Sequence, residues 1–136
     1  MIISHAQAVI PGDIQRVWRI ATAVENYAAW RSDLSKAEVL DETRFVEYTL
    51  NGYATTFTTT LLRPCQRWEF DLENGNMAGH WVGVFTSQGA ETLVDFTQSV
   101  RLKKFYMRPF VRPYMKKQQA RFIADLRQAV LCEEGG

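Results

Sequence analysis

Cysteine is scarce: the 136 residues contain only Cys65 and Cys132, and neither has a cysteine or histidine close to it in sequence. That excludes the disulfide framework of a small secreted domain and the paired spacing of a zinc site, so no metal is expected. Long apolar runs are absent too. No stretch reaches the ~18 residues of a membrane-spanning helix, and the opening MIISHAQAVIPGD has neither the basic nor the apolar region of a secretory signal. A cytoplasmic protein is the resulting expectation. A phosphate-binding glycine loop, a dinucleotide fingerprint, a metal-binding helix and nucleophile motifs are missing as well, so no cofactor is expected. No repeat or Pro/Gly/Ser linker divides the chain, and residues 1–136 read as one domain.

What is present is apolar and aromatic. Hydrophobic residues make up 46% of the chain and aromatic ones 12%, enough to bury a core without staples and too much for a disordered chain. The formal net charge of +1 conceals an imbalance: residues 1–100 carry 7 Lys/Arg against 12 Asp/Glu, residues 101–136 carry 9 against 3. The basic excess has a place of its own.

Periodicity sets the elements. Residues 2–10 read as a strand ending at Pro11-Gly12-Asp13, after which Ile14, Val17, Trp18 and Ala21 fall on one helical face with Asp13 as N-cap. A second short helix is predicted from Val24 to Ala29 and a polar break over 31–36. Alternation then predicts antiparallel strands at 38–41, 44–50, 53–62, 66–73, 76–87 and 91–102. Asn51-Gly52, Arg63-Pro64, Asn74-Gly75 and Gln88-Gly89 mark turns between them. The stripe Val111, Met115, Phe122, Leu126 and Val130 predicts a long amphipathic helix, placed from Pro113 to Leu131 because a proline is tolerated in a first turn.

One strand, two short helices, a six-strand meander and a long terminal helix make an α+β arrangement in which a curved seven-stranded antiparallel sheet grips the helix. This order resembles the START-like, or helix-grip, superfamily. IPGDIQRVW at 10–18, NYAAW at 26–30 and GHWVGVFTSQGAETLVDF at 79–96 resemble motifs of its polyketide cyclase/dehydrase and lipid-transport (SRPBCC) family. The resemblance runs through nearly the whole chain in order. It implies an internal cavity for a small hydrophobic or amphipathic molecule, lipid- or polyketide-like, and it implies that cyclase or dehydratase chemistry belongs to the family's range.

Aromatic rows are also what an ordinary core contains; the resemblance is what turns them into a binding wall. Strand parity puts Trp81 and Phe85 on one face of their strand, Phe96 and Gln98 together on the next, and Tyr53, Thr55 and Phe57 in a further row. With Trp30, Tyr48, Trp68, Phe70, Met115 and Phe122 they form the expected lining. Gln98 would be a lone amide in an apolar row and would need a hydrogen-bond partner from protein, water or guest. A void of ~300 Å³ left empty would cost about 7 kcal/mol, so such a cavity must be filled or wet.

Catalytic candidates are few. His80 falls outward by the parity that turns Trp81 inward, and His5 has no activating neighbour in sequence. Glu47 would face solvent if Val46, Tyr48 and Leu50 form the buried row; Arg63 could sit at a rim, and nothing marks Cys65 as activated. No catalytic residue is assigned, so catalysis rests on the resemblance alone. The rival to a cavity function is an interaction module using the eight basic residues from Arg101 to Arg121, which have no acid among them and alternate with Phe105, Tyr106, Phe110 and Tyr114. Such a segment suits transient contact with an anionic membrane, or with RNA or a ribosome, although no nucleic-acid-binding module is present and a solvated helix face would look the same. Oligomeric state is not legible.

Overall fold

The computed structural model describes residues 1–135, the last two by their backbone alone. β1 (Ile2–Ile10) leads through Pro11-Gly12 into α1 (Ile14–Thr22), a 3-10 turn (Val24–Asn26) and α2 (Tyr27–Trp30). Then come β2 (Leu34–Val39), β3 (Arg44–Thr49), β4 (Ala54–Arg63), β5 (Arg67–Glu73), β6 (Met77–Gln88) and β7 (Glu91–Leu102). A second 3-10 turn (Phe105–Met107) precedes α3 (Arg108–Gly135). The strands form one antiparallel sheet in the order β1-β7-β6-β5-β4-β3-β2. The meander therefore pairs each strand with the next, and β1 closes onto β7 from Ile2 opposite Val100 to Ile10 opposite Thr92. Bulges interrupt the register between Leu34 and Lys36 and between Thr59 and Leu61, and a bulge bends its strand and increases the local twist.

α3 crosses the inner face with Val111, Met115, Ile123, Leu126 and Val130 buried, a stripe at helical spacing. Gln119 is the polar member of that stripe. Its Nε2 donates to the backbone carbonyl of Ser4 at 3.0 Å, and its Oε1 accepts from Ser4 Oγ at 2.6 Å, so its burial leaves nothing unpaired. At the α1 end the interior is filled: Trp18 meets Phe85 edge-on at 5.0 Å. Thr92 Oγ1 there donates to the Gly12 carbonyl at 2.8 Å and ties the β1–α1 turn to β7.

Two boundaries differ from the sequence expectation. β2 begins at Leu34, inside the stretch expected to be a polar break, because an edge strand needs little buried surface and only Leu34 within it is buried. α3 begins at Arg108, with Pro109 in its first turn and Pro113 inside it. Pro113 lacks the N–H that would bond the Pro109 carbonyl, but Val111 and Met115, buried on either side of it, hold the turn in helical register. The turns are as the dipeptides indicated, with Gly52 at φ +86° and Gly89 at φ +73°. At Arg63-Pro64 the positive φ, +61°, falls on Cys65, where glycine would be at ease.

Candidate functional site

Between the α1-packed end and the hairpins joining β3 to β4 and β5 to β6, the sheet curves away from part of α3. The two leave a cavity of about 150 Å³, partly open to solvent and half the ~300 Å³ considered from the sequence. Its deep wall is aromatic. Phe45 stacks on Phe57 at 4.8 Å and Phe70 on Trp81 at 4.6 Å, and the two stacks meet edge-on through Phe57 and Phe70 at 5.2 Å. Trp68 and Phe96 flank Trp81 at 5.7 and 5.0 Å. Such contacts fix ring positions to within narrow limits, so the wall is pre-formed.

Glycines make room for it. A Cβ on Gly83 would lie 2.3 Å from the Trp81 ring, which folds back over residue 83 on its own strand face. A Cβ on Gly79 would lie 2.4 Å from the Ser99 carbonyl of β7. The glycines of the 79–85 stretch thus let the indole lie flat and the two strands come close.

Of the residues expected in the lining, Thr55, Phe57, Trp68, Phe70, Trp81, Phe96, Gln98, Met115 and Phe122 border the cavity. Four do not. Trp30 packs outside it, edge-on to Tyr27 at 5.4 Å and tilted against Phe122 at 5.8 Å. Tyr48 is on the opposite face of β3, with the Lys36 ammonium 4.7 Å above its ring. Tyr53 precedes β4 in the hairpin and is 38% exposed. Phe85 faces inward but belongs to the filled end, against Trp18 and Phe96. The Gln98 amide has no hydrogen-bond partner among the described residues and opens into the cavity.

The largest departure concerns β3. Phe45, Glu47 and Thr49 are its inward row, so Glu47 is not a surface charge but part of the cavity wall. Val46 is buried on the other face, outside the main core cluster, which is why the two rows look alike in hydrophobicity. Glu47 is joined there by Arg31 and Asp33, which follow α2 at the start of the stretch expected to be a polar break. Arg31 donates Nε and Nη2 to the two oxygens of Asp33 at 3.2 and 2.9 Å, and Nη1 to Glu47 Oε2 at 2.8 Å. The guanidinium also lies 5.1 Å from the ring centres of both Tyr27 and Phe122. Burial pushes the Glu47 carboxyl above its ordinary value although Arg31 opposes the shift. Burial works against the charge of Arg31, but Glu47 and Asp33 outweigh it and raise its pKa. The sequence signal was present as Arg31-x-Asp33 directly after an aromatic helix, but the partner across 16 residues was not.

The histidines are elsewhere. His80 is on the outer face of the sheet, where its ring nitrogens meet Asp71 at 2.7 Å and Glu69 at 2.9 Å. Partial burial alone would lower its pKa; the bonds to those two carboxylates outweigh that and raise it. His5, also outside, meets Asp95 at 2.7 Å. Among the described residues no cluster of three or more His, Cys, Asp or Glu could hold a metal, and no helix is long and apolar enough to cross a membrane.

The same architecture recurs in solved structures. A START superfamily protein from Mycobacterium smegmatis superimposes with a TM-score of 0.81 at 14% identity, over 94% of this chain and 96% of its own. The Zhui aromatase/cyclase from a Streptomyces strain gives 0.78 at 14% identity over 95% and 93% of the two chains. Norcoclaurine synthase from Thalictrum flavum, in complex with dopamine and hydroxybenzaldehyde, gives 0.75 at 9% identity over 96% and 86%. At these identities the likeness is one of fold. No curated protein matches the sequence. The sequence does match the family described as "Polyketide cyclase / dehydrase and lipid transport" across residues 1–131, and with the helix-grip fold in place the chain belongs to that family.

Proposed function

We propose that this protein binds a small, mainly apolar molecule, lipid- or polyketide-like, in the cavity between the sheet and α3. The aromatic wall described above carries the reading. The cavity is partly open and Glu47, Thr49, Asn74 and Gln98 lie in its wall, so it is wet when no guest is bound, and an apolar guest gains by displacing that water from the rings. A single-ring guest burying roughly 150 Å² of apolar surface gains about 4 kcal/mol before the entropy of association is deducted. Binding is the activity the lining supports best, because its wall is mainly aromatic and both histidines are on the outside of the sheet. Native mass spectrometry of the protein from its producing cells is expected to show a bound mass that organic extraction releases. A bare chain that also fails to bind single-ring aromatic probes would overturn the reading.

A second reading has its own observation. Phe105 and Tyr106 in the 3-10 turn before α3, and Phe110 in its first turn, are 87%, 64% and 73% exposed, among the exposed Lys104, Arg108, Arg112 and Lys117. Tyr114, Met115 and Gln118, one to three turns further on, border the cavity. We infer that this end of α3 docks on an anionic lipid surface, where a guest could enter or leave. Exposed rings that enter the headgroup region and cations that meet lipid phosphate suit that partner. Sedimentation with phosphatidylcholine vesicles containing a quarter phosphatidylglycerol is expected to carry the protein down, and pure phosphatidylcholine is not. High salt, or Phe105→Ser with Phe110→Ser, is expected to weaken this at least tenfold. Equal binding to both vesicle types, or retention by RNA in preference to vesicles, would overturn it.

A further inference from the structure

The cluster on the cavity wall has an unequal charge count: one guanidinium, Arg31, against two carboxylates, Asp33 and Glu47. Each of these side chains is about nine-tenths buried. Asp33 has both oxygens bound to Arg31, and Glu47 has one. The remaining oxygen, Glu47 Oε1, has no hydrogen-bond partner among the described residues, yet no buried side-chain oxygen is sealed off without one, so it faces the open space of the cavity. Among the described residues no second cation pairs with Glu47. Lys36 points to the other face of the sheet over Tyr48, Asp125 is engaged by the Ser32 amide and hydroxyl, and the Tyr27 hydroxyl is spent on the Ala21 carbonyl. Arg31 cannot turn to meet a guest, because it is held by two carboxylates and by the rings of Tyr27 and Phe122.

The geometry points to Glu47 Oε1 as the anchor for the head of the guest, and to a guest whose head donates a hydrogen bond and carries no negative charge: a ring hydroxyl or a protonated amine. The body of such a molecule lies against Phe57, Phe70 and Trp81, and its donor meets the one open oxygen of a site that is already a charge short. The same count selects against a carboxylate or phosphate head, since it would add a third anion beside a single cation that two carboxylates already hold. The site rests on the cavity reading above and adds the chemical class of the head to it.

The test uses four probes with one body, p-cresol, 4-methylbenzylamine, 4-methylanisole and p-toluate, because a 150 Å³ cavity matches a benzene-sized ring. They are titrated into the full chain and followed by 1H–15N NMR. The cresol and the benzylamine are expected to bind at least tenfold more tightly than the anisole and the toluate, with shifts centred on Glu47 and Thr49. In Glu47→Gln the benzylamine loses that advantage and the toluate gains affinity. The ranking in the unaltered protein decides the matter even if the variant does not fold. Equal affinities for all four, or the toluate binding best, would overturn the head site and leave the cavity reading intact; no binding by any of the four would overturn both.

Discussion

Replacing Arg31 with leucine is expected to lower the unfolding free energy by about 3–5 kcal/mol at neutral pH, read as a fall in the urea midpoint with little change in slope. Among the described residues the two carboxylates it serves pair with no other cation, and truncation would leave two buried anions facing each other across the space of one side chain. The ring contacts to Tyr27 and Phe122 are lost with the guanidinium. The loss is also expected to depend on pH in a definite direction. Glu47 is already raised by burial and would rise further without Arg31, so the folded state keeps a proton that the unfolded chain has released. Stability is then recovered as pH falls through the folded-state pKa, and Glu47's share of the deficit disappears below the ordinary value of 4.5. Urea titrations at about pH 7 and about pH 5 check this; an equal deficit at both would mean that the charge cluster is not the cause.

The second large effect is expected at Trp81. Trp81→Ala removes the ring that stacks on Phe70 and bridges Trp68 to Phe96, and should cost about 3–5 kcal/mol. Because the indole already borders a cavity, the neighbours cannot close over the gap, which favours the upper part of that range. Affinity for p-cresol is expected to fall at least tenfold. Trp81→Phe keeps a ring over Gly83 and opposite Phe70 and should preserve most of both properties. Unchanged cresol binding in the alanine variant would place the guest elsewhere, whereas anionic-vesicle docking should survive that substitution, since Phe105 just before α3 and Phe110 in its first turn are exposed on the outside.

The elements were legible because each rests on a local pattern. Trp68, Phe70 and Leu72 alternate with Arg67, Glu69 and Asp71, and the structure makes that segment β5 with the first set buried. The turn dipeptides occur where hairpins need them, and the α3 stripe has helical spacing over most of its length. Errors arose where a local pattern is ambiguous. Along β3 and into the residue after it, the rows Phe45-Glu47-Thr49 and Val46-Tyr48-Leu50 each mix apolar and polar residues, so alternation alone does not choose between them. The structure turns the first row inward, because Phe45 completes the aromatic wall and Arg31 supplies a cation for Glu47. Tyr48 left the lining for the same reason: reversing one strand's parity moves every residue in it.

The amino-acid order by itself determined the succession of elements, the antiparallel meander, the aromatic composition of the interior and the concentration of positive charge at the start of α3, since periodicity, turn residues and charge runs act over a few residues. The tertiary structure alone decided how large the cavity is, which end of the interior is filled, where α3 begins, and that Arg31, Asp33 and Glu47 share one buried site. Those outcomes depend on the curvature of the whole sheet and on contacts between residues far apart in the chain. A side chain's burial and charge partner are set by what the rest of the chain places beside it.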